Sequence, residues 1–326
     1  MKLYNIIQTE DANVVLGEKS HFTIGTSPYY AHQHALAIDI YQHLELENYS
    51  AVSPVAGEII KIKELIAPKP KFSIGIAKDY LTLVRNHKNQ KIIYKILHVK
   101  PFLKVGDIIK QGDFLGETIR NGYFAYWSSP HLHLEIRSEN DAIRATGGRP
   151  FNLLLNDIDD LVESDAVESI PLEIISNSPE FLLVRLPKEY YINFQNFNGV
   201  KGNINNNFKC ILDGGIPHYK HGLAISYHIN KLVTKLPVFL GDIRLGILES
   251  TSGQFGIFKF EPFHIYFNGI EIRGISLFLS KELPLLKIIP YKTNQFKKIR
   301  GTINQLKFIL QESKEPATHH INEGRE

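Results

Sequence analysis

Residues 129–137, SPHLHLEIR, alternate apolar and polar side chains from His131 onward. In a strand the side chains at i and i+2 share a face, roughly 6.6 Å apart along the chain. His131, His133 and Glu135 therefore fall on one side, and Leu132, Leu134 and Ile136 on the other. One face can enter a core while the other floors an open, polar cleft. Core packing has no use for two neighbouring imidazoles on one face. A metal site does, because neutral imidazole ligates zinc and a second imidazole beside it can handle protons. The competing reading is a solvated strand face that happens to carry histidines, and so short a motif does not separate the two.

The rest of the chain narrows the choice. At 326 residues two domains are expected. The apolar and charged fractions, 43% and 22%, are those of an ordinary globular protein. A net charge of +3 gives no reason to expect a nucleic acid or membrane partner. The single cysteine, Cys210, excludes an intramolecular disulfide framework and any cysteine-rich zinc site, so a metal here needs histidine and carboxylate ligands. The opening stretch MKLYNIIQTEDANVV lacks the apolar core and cleavage site of a signal peptide, and no run is long enough to span a bilayer. A cytoplasmic location is expected.

From about residue 20 to 155 short β-runs alternate with tight turns. In ALAIDIY, residues 35–41, Leu36, Ile38 and Ile40 share one face, and the small Ala35 and Ala37 leave room around Asp39 on the other. DYLTLVRNH and KIIYKILHV read as two strands joined across His87, Asn89 and Gln90. Pro68, Pro70 and their lysines make a loop, and Gly106-Asp107 and Gly112-Asp113 are turns around a short strand. This density of strands and turns predicts an antiparallel all-β unit over residues 1–155. The acidic stretch NDIDDLVESDAVE places a linker at 156–169. Residues 170–313 predict a second β-rich domain, in which FLLVRL, FGIFKF and ISLFLS are strands and FNGVKGNINNN and STSGQFG exposed loops. Thr302 and Gln305 form a capping-box spacing that predicts a short C-terminal helix, and residues 314–326 are expected to be a disordered tail.

Three features converge on the first domain. Asp39 sits on the uncrowded face of its strand, His32 and His34 lie just upstream, and His98 closes KIIYKILHV. A carboxylate and two imidazoles with one open position are the ligand set of a catalytic zinc site. Zinc so held lowers the pKa of its water to roughly 7, and the remaining histidines can move protons and stabilise an oxyanion.

The order of these parts resembles the lysostaphin-type, LytM-like zinc endopeptidases over roughly residues 25–150: a His/Asp segment, SPVAGEII, a strand ending in histidine, VKVG…KQGDFLG, and PHLHLEIR. The resemblance implies the duplicated hybrid motif, a small antiparallel β-fold, and a peptide or peptide-like substrate. It implies Zn2+ as cofactor, with Asp39 and His133 as ligands and His98 and His131 as catalytic imidazoles. The family's first ligand stands four residues before the aspartate, where this chain has Ala35. His34 and His32, five and seven residues before Asp39, lie at odd spacings and reach the site only from a bulge or a loop. His34, the nearer, is the expected ligand, with His32 the alternative.

Two more departures stand out. RNGYFAYWSS replaces the family's small residues before the His-x-His, and its aromatics either wall the cleft or form a lid packed on the second domain. The strand ending in His98 lacks the tyrosine common two residues before that histidine. His218 and His221 sit in a Gly/Pro turn and are not expected to hold a second metal. Lys287, Lys292, Lys297, Lys298, Arg300 and Lys307 read as a solvated basic face, and Cys210 as a small buried hydrophobe. The expectation is a zinc-dependent metallopeptidase-like hydrolase. Its rival is a catalytically inactive LytM-like domain used for binding or scaffolding.

Overall fold

The alternating runs of the first half become strands of one antiparallel ladder. In order across it run His21–Thr23, Ala37–Tyr41, Leu132–Ser138, Ile92–Leu97, Lys78–Asn86, Gly57–Ile66 and Ile108–Ile109. The computed structural model describes residues 2–9, 11–72, 74–155, 169–297 and 304–310. The acidic stretch 156–168 and the tail from residue 311 lie outside the described residues. Gly106 and Gly112 adopt φ of 93° and 87° at the two Gly-Asp turns, a backbone region open to residues without a Cβ. The chain is mainly β in both halves. Among the described residues the single α-helix is the turn Tyr30–Gln33, and no helix is long and apolar enough to cross a membrane.

Leu132, Leu134 and Ile136 pack into a core with Ile38, Val84 and Ile96, as their period-2 spacing requires. That core also takes in Phe197, Phe255 and Leu279 from the second half. Phe22 and Phe197 meet edge to face at 5.4 Å, a geometry that adds about 0.5–1.5 kcal/mol to the burial itself. The ladder crosses between the halves too. Leu279–Ser280 pairs with His21–Thr23 on one side and with Phe197–Ile204 on the other. A second core, with Val200, Leu212 and Phe258 among its members, belongs to the C-terminal half alone.

Two expectations fail here for physical reasons. FNGVKGNI is no loop: Phe197–Ile204 is a strand paired with Phe208–Ile216. Its glycines serve close approach, since a Cβ on Gly199 would lie 2.4 Å from Ile211 Cγ2 and one on Gly202 2.5 Å from Leu212 Cγ. The expected C-terminal helix is the strand Asn304–Leu310, paired with Ile170–Asn177 and Phe263–Phe267. Asn304 and Leu306 are buried while Gln305 and Lys307 are exposed, so a period of two overrides the capping-box spacing.

Gly199→Ala tests the close approach. Overpacking of this kind costs about 1–3 kcal/mol, and the expected outcome is a lower urea midpoint at unchanged slope. An unchanged midpoint would contradict it.

Candidate metal centre

The register of three strands places the first two donors. Asp39 lies directly opposite His133, and Thr23 opposite Asp39 on the other side. The third donor comes from before the strand. Tyr30–Gln33 coils as a helical turn, and Ala35 then takes φ of 52°, so the chain enters Ala37–Tyr41 only after a sharp reversal. That turn buries His32 and leaves His34 exposed. His34 stacks on Tyr30 with ring centroids 4.1 Å apart and donates from Nδ1 to the Tyr30 carbonyl at 2.8 Å. The structure therefore brings His32, and not His34, to Asp39 and His133. Strand parity does not govern residues in a helical turn.

Among the described residues, His32, Asp39 and His133 have the spacing of metal ligands. His32 Nε2 is 3.2 Å from Asp39 Oδ1 and 3.1 Å from His133 Nδ1, and His133 Nδ1 is 2.9 Å from Asp39 Oδ1. The far side of each ring is already committed. His32 Nδ1 donates to the Ile24 carbonyl at 2.7 Å, and His133 Nε2 donates to Glu135 Oε1 at 3.1 Å. Neutral rings so tied turn two nitrogen lone pairs toward the same carboxylate oxygen. Three acceptors crowd one point, and either protons or a cation must lie among them. Outer hydrogen bonds that fix the tautomer in this way are how metal-binding histidines are held. The donor set suits zinc.

Electrostatics run the same way. Burial works against the Asp39 carboxylate, yet His131, His32 and His133 hold it well below the usual range. Burial also opposes charge on His133, but its bonds to Asp39 and Glu135 push it up to about 9. Burial pushes His131 down to about 4 against the pull of Asp39. His131 donates from Nδ1 to the Ser129 carbonyl at 2.9 Å and turns Nε2 to within 3.5 Å of Asp39 Oδ2.

His98 follows its strand by one residue, at φ of 67°, and its ring lies 5.3 Å from that of His131 and 5.8 Å from that of His133. Asp79 holds it, with Oδ2 2.8 Å from Nδ1 and Oδ1 accepting the His98 backbone N–H at 3.1 Å. Phe124 of the aromatic loop packs on His98 and His131, centroids 4.9 and 4.8 Å away.

Several participants escaped the sequence reading. Asp79 sits 19 residues before His98, and nothing in the local pattern marks it. Glu135 lay on the histidine face by parity, and its role emerges only with its partners: Lys95 Nζ at 2.9 Å and Arg137 at 2.6 Å. Arg137, wholly buried, is held by Asp141 and by the carbonyls of Thr146 and Arg144. The face expected to floor an open cleft is thus closed by a polar ladder and the segment after it. Tyr94 is committed to Asn13 and Asn86. His221 pairs with Glu249 at 3.0 Å, while the His218 ring packs edge-on against Trp127 at 5.6 Å. Cys210 is buried, and burial pushes its thiol up. Lys287 is not on a solvated face at all: it is buried, against Trp127 and Ser129.

Residues 11–153 match the family model "Domain of unknown function (DUF8155) N-terminal domain", and residues 174–299 match its C-terminal domain. The chain is thus similar to the two domains of this family in turn, and the family's description assigns no function. No curated protein matches. Among solved structures, the crystal structure of the SpoIIIAH and SpoIIQ complex aligns at 16% identity and a TM-score of 0.28, covering 41% of this chain and 92% of that one. The solution structure of lysostaphin aligns at 11% identity and a TM-score of 0.23, covering 69% and 86%. Likenesses this weak bear on neither fold nor function.

A pH dependence follows for the zinc-free protein. The His133 ring titrates near 9 when folded and near 6.5 when unfolded, which corresponds to a contribution on the order of 3 kcal/mol. A raised imidazole pKa stabilises fully below pH 6.5 and is lost as the pH rises through 9. Urea unfolding of chelator-treated wild type and His133→Gln isolates that ring from buried Lys287, whose lowered pKa acts in the opposite sense, and the stability difference between the two is expected to fall over that window. A flat or rising difference would contradict the assignment.

Proposed function

We propose that this protein is a zinc-dependent hydrolase of the lysostaphin-type endopeptidase class, with His32, Asp39 and His133 as the zinc ligands and a peptide or peptide-like amide as substrate. One observation carries the reading. The three donor atoms stand 2.9, 3.1 and 3.2 Å from one another, near the roughly 3.3 Å separating tetrahedral ligands on bonds of about 2.0–2.1 Å. Bound there, zinc would lower the pKa of its water toward about 7 and polarise the carbonyl under attack.

The remaining work belongs to the chain. His131, neutral at pH 7 and tied at Nδ1, presents an Nε2 lone pair beside Asp39, where it accepts a proton. His98, oriented by Asp79 as carboxylates orient catalytic imidazoles, stands across from it to stabilise the oxyanion. Glu135 holds the His133 ring by its far nitrogen. A second reading, a non-catalytic binding or scaffolding module of the same fold, is favoured by one contact. Phe124 covers His98 and His131, whose side chains keep only 13% and 10% of their surface exposed.

Elemental analysis of protein purified without added metal separates the two. About one zinc per chain is expected, abolished in His133→Ala and His32→Ala and retained in His34→Ala. His131→Ala is expected to keep its zinc and lose hydrolysis of glycine-rich peptides. Folded wild-type protein without zinc would refute the hydrolase reading and leave the scaffold.

A further inference from the structure

We infer that the C-terminal half is a positioning element for the metal centre, acting through Asp213 and Lys287 on the His32 and His131 rings. This rests on the zinc-site reading above and gives the second domain a task in it.

Asp213 lies on Phe208–Ile216, in the second half, and is fully buried. Its carboxylate reaches across to the first half and accepts from Thr23 Oγ1 at 2.7 Å, from the Ile24 N–H at 2.7 Å and from the Gly25 N–H at 2.9 Å. Ile24 is the residue whose carbonyl takes the His32 Nδ1 proton. Asp213 therefore grips the two N–H groups that flank the Ile24 carbonyl along the chain, and through it sets the ring that faces Asp39.

Lys287, on Leu286–Ile289, makes the matching contact at Ser129. It is 2% exposed, with Nζ 4.2 Å above the Phe181 ring. It donates to the Trp127 carbonyl at 3.0 Å and to Ser129 Oγ at 2.6 Å. Ser129 Oγ in turn donates to the Leu44 carbonyl. Ser129 is the residue whose carbonyl takes the His131 Nδ1 proton. The lysine and His131 also share Tyr41, whose ring centroid is 5.9 Å from Nζ and 4.9 Å from the imidazole.

The two contacts have one logic. Each sends a buried ionisable group from the second half onto one residue of the first, the Ile24 N–H in one case and the Ser129 hydroxyl in the other, and the carbonyl of that same residue fixes a site histidine's tautomer. Burying such groups is costly, and apolar contacts hold two domains together without that cost. The cost is intelligible when the rings must be set. Elements that orient ligands from outside typically change metal affinity or activity by about 10–100-fold. The DUF8155 C-terminal domain would thus be part of the site and not an appendage. The shared core and the strand pairing of Leu279–Ser280 with His21–Thr23 supply the rigid frame for it.

The test compares three variants of the full chain. Asp213→Asn keeps the shape and turns an amide toward a backbone donor; Asp213→Ser replaces it if that chain does not fold. Lys287→Met keeps the stem and removes the donors. Gln254→Ala removes a bond across the same interface, Leu153 N–H to Gln254 Oε1 at 2.7 Å, that leads to no site histidine. Zinc affinity is read by competition with a chromophoric chelator, and the His131 tautomer by imidazole 15N shifts of zinc-free protein. We expect the Asp213 variant to bind zinc about ten-fold more weakly. Lys287→Met should keep its zinc but lose the single Nδ1–H tautomer of His131, and Gln254→Ala should change neither. Affinity within two-fold of wild type at Asp213, an unchanged His131 signature in Lys287→Met, or equal losses in Gln254→Ala would overturn the inference. If wild type binds no zinc, the proposed function fails, and the His131 shifts still decide the positioning role.

Discussion

A single buried carboxylate organises the molecule. Asp39 is 2% exposed and stands among His32, His131 and His133. A carboxylate removed from water is tolerated only where positive charge or strong donors replace its hydration. Imidazoles supply that replacement at Asp39, either as protonated rings or through a cation that they ligate with it. The consequences spread outward along the strands. His133 needs a partner for its far nitrogen, and Glu135, two residues on, provides it. Glu135 then needs compensation and finds it in Lys95 and Arg137. Arg137 donates in turn to Asp141 and to two carbonyls of the segment that follows. The polar face is closed link by link, each buried charge requiring the next.

The second half enters this order at its edges. Its strands continue the ladder through Leu279–Ser280, and its side chains join the core beneath Leu132, Leu134 and Ile136. A small cleft remains where the halves face each other, lined by Ser27, Pro28 and His32 on one wall and by Tyr219, Lys220 and His221 on the other. His32 thus lies at the boundary of the two domains. The His98 and His131 side, by contrast, is covered by Phe124.

Much of this was legible in the sequence, and the failures have a common cause. The alternation in 131–136 and 35–41 put His133 and Asp39 each on the polar face of its own strand, because a period of two survives any tertiary context that keeps the strand, and the pairing of the two strands appears only in the fold. His32 was passed over for His34 because His34 is nearer to Asp39 in sequence, whereas the helical turn and the reversal at Ala35 bring the farther residue to the site. Asp79 was invisible because its pairing with His98 is long-range, joined by no local pattern. Gly199 and Gly202 were read as loop formers when they make room for Ile211 and Leu212. At 304–310 the neighbouring strands decided against a local helix signal. Lys287 shows the same limit: a lysine among lysines reads as surface, and only packing reveals that it is enclosed by aromatic rings.

The central claim is that two imidazoles and one carboxylate share a single ion. Zinc K-edge X-ray absorption of the loaded protein measures that directly. The account predicts a first shell of nitrogen and oxygen alone at about 2.0–2.1 Å, with the scattering of two imidazoles, unchanged by His34→Ala and lost with His32→Ala. A shell containing sulfur, a shell of three or more imidazoles, or a signal that disappears with His34 and persists without His32 would contradict it.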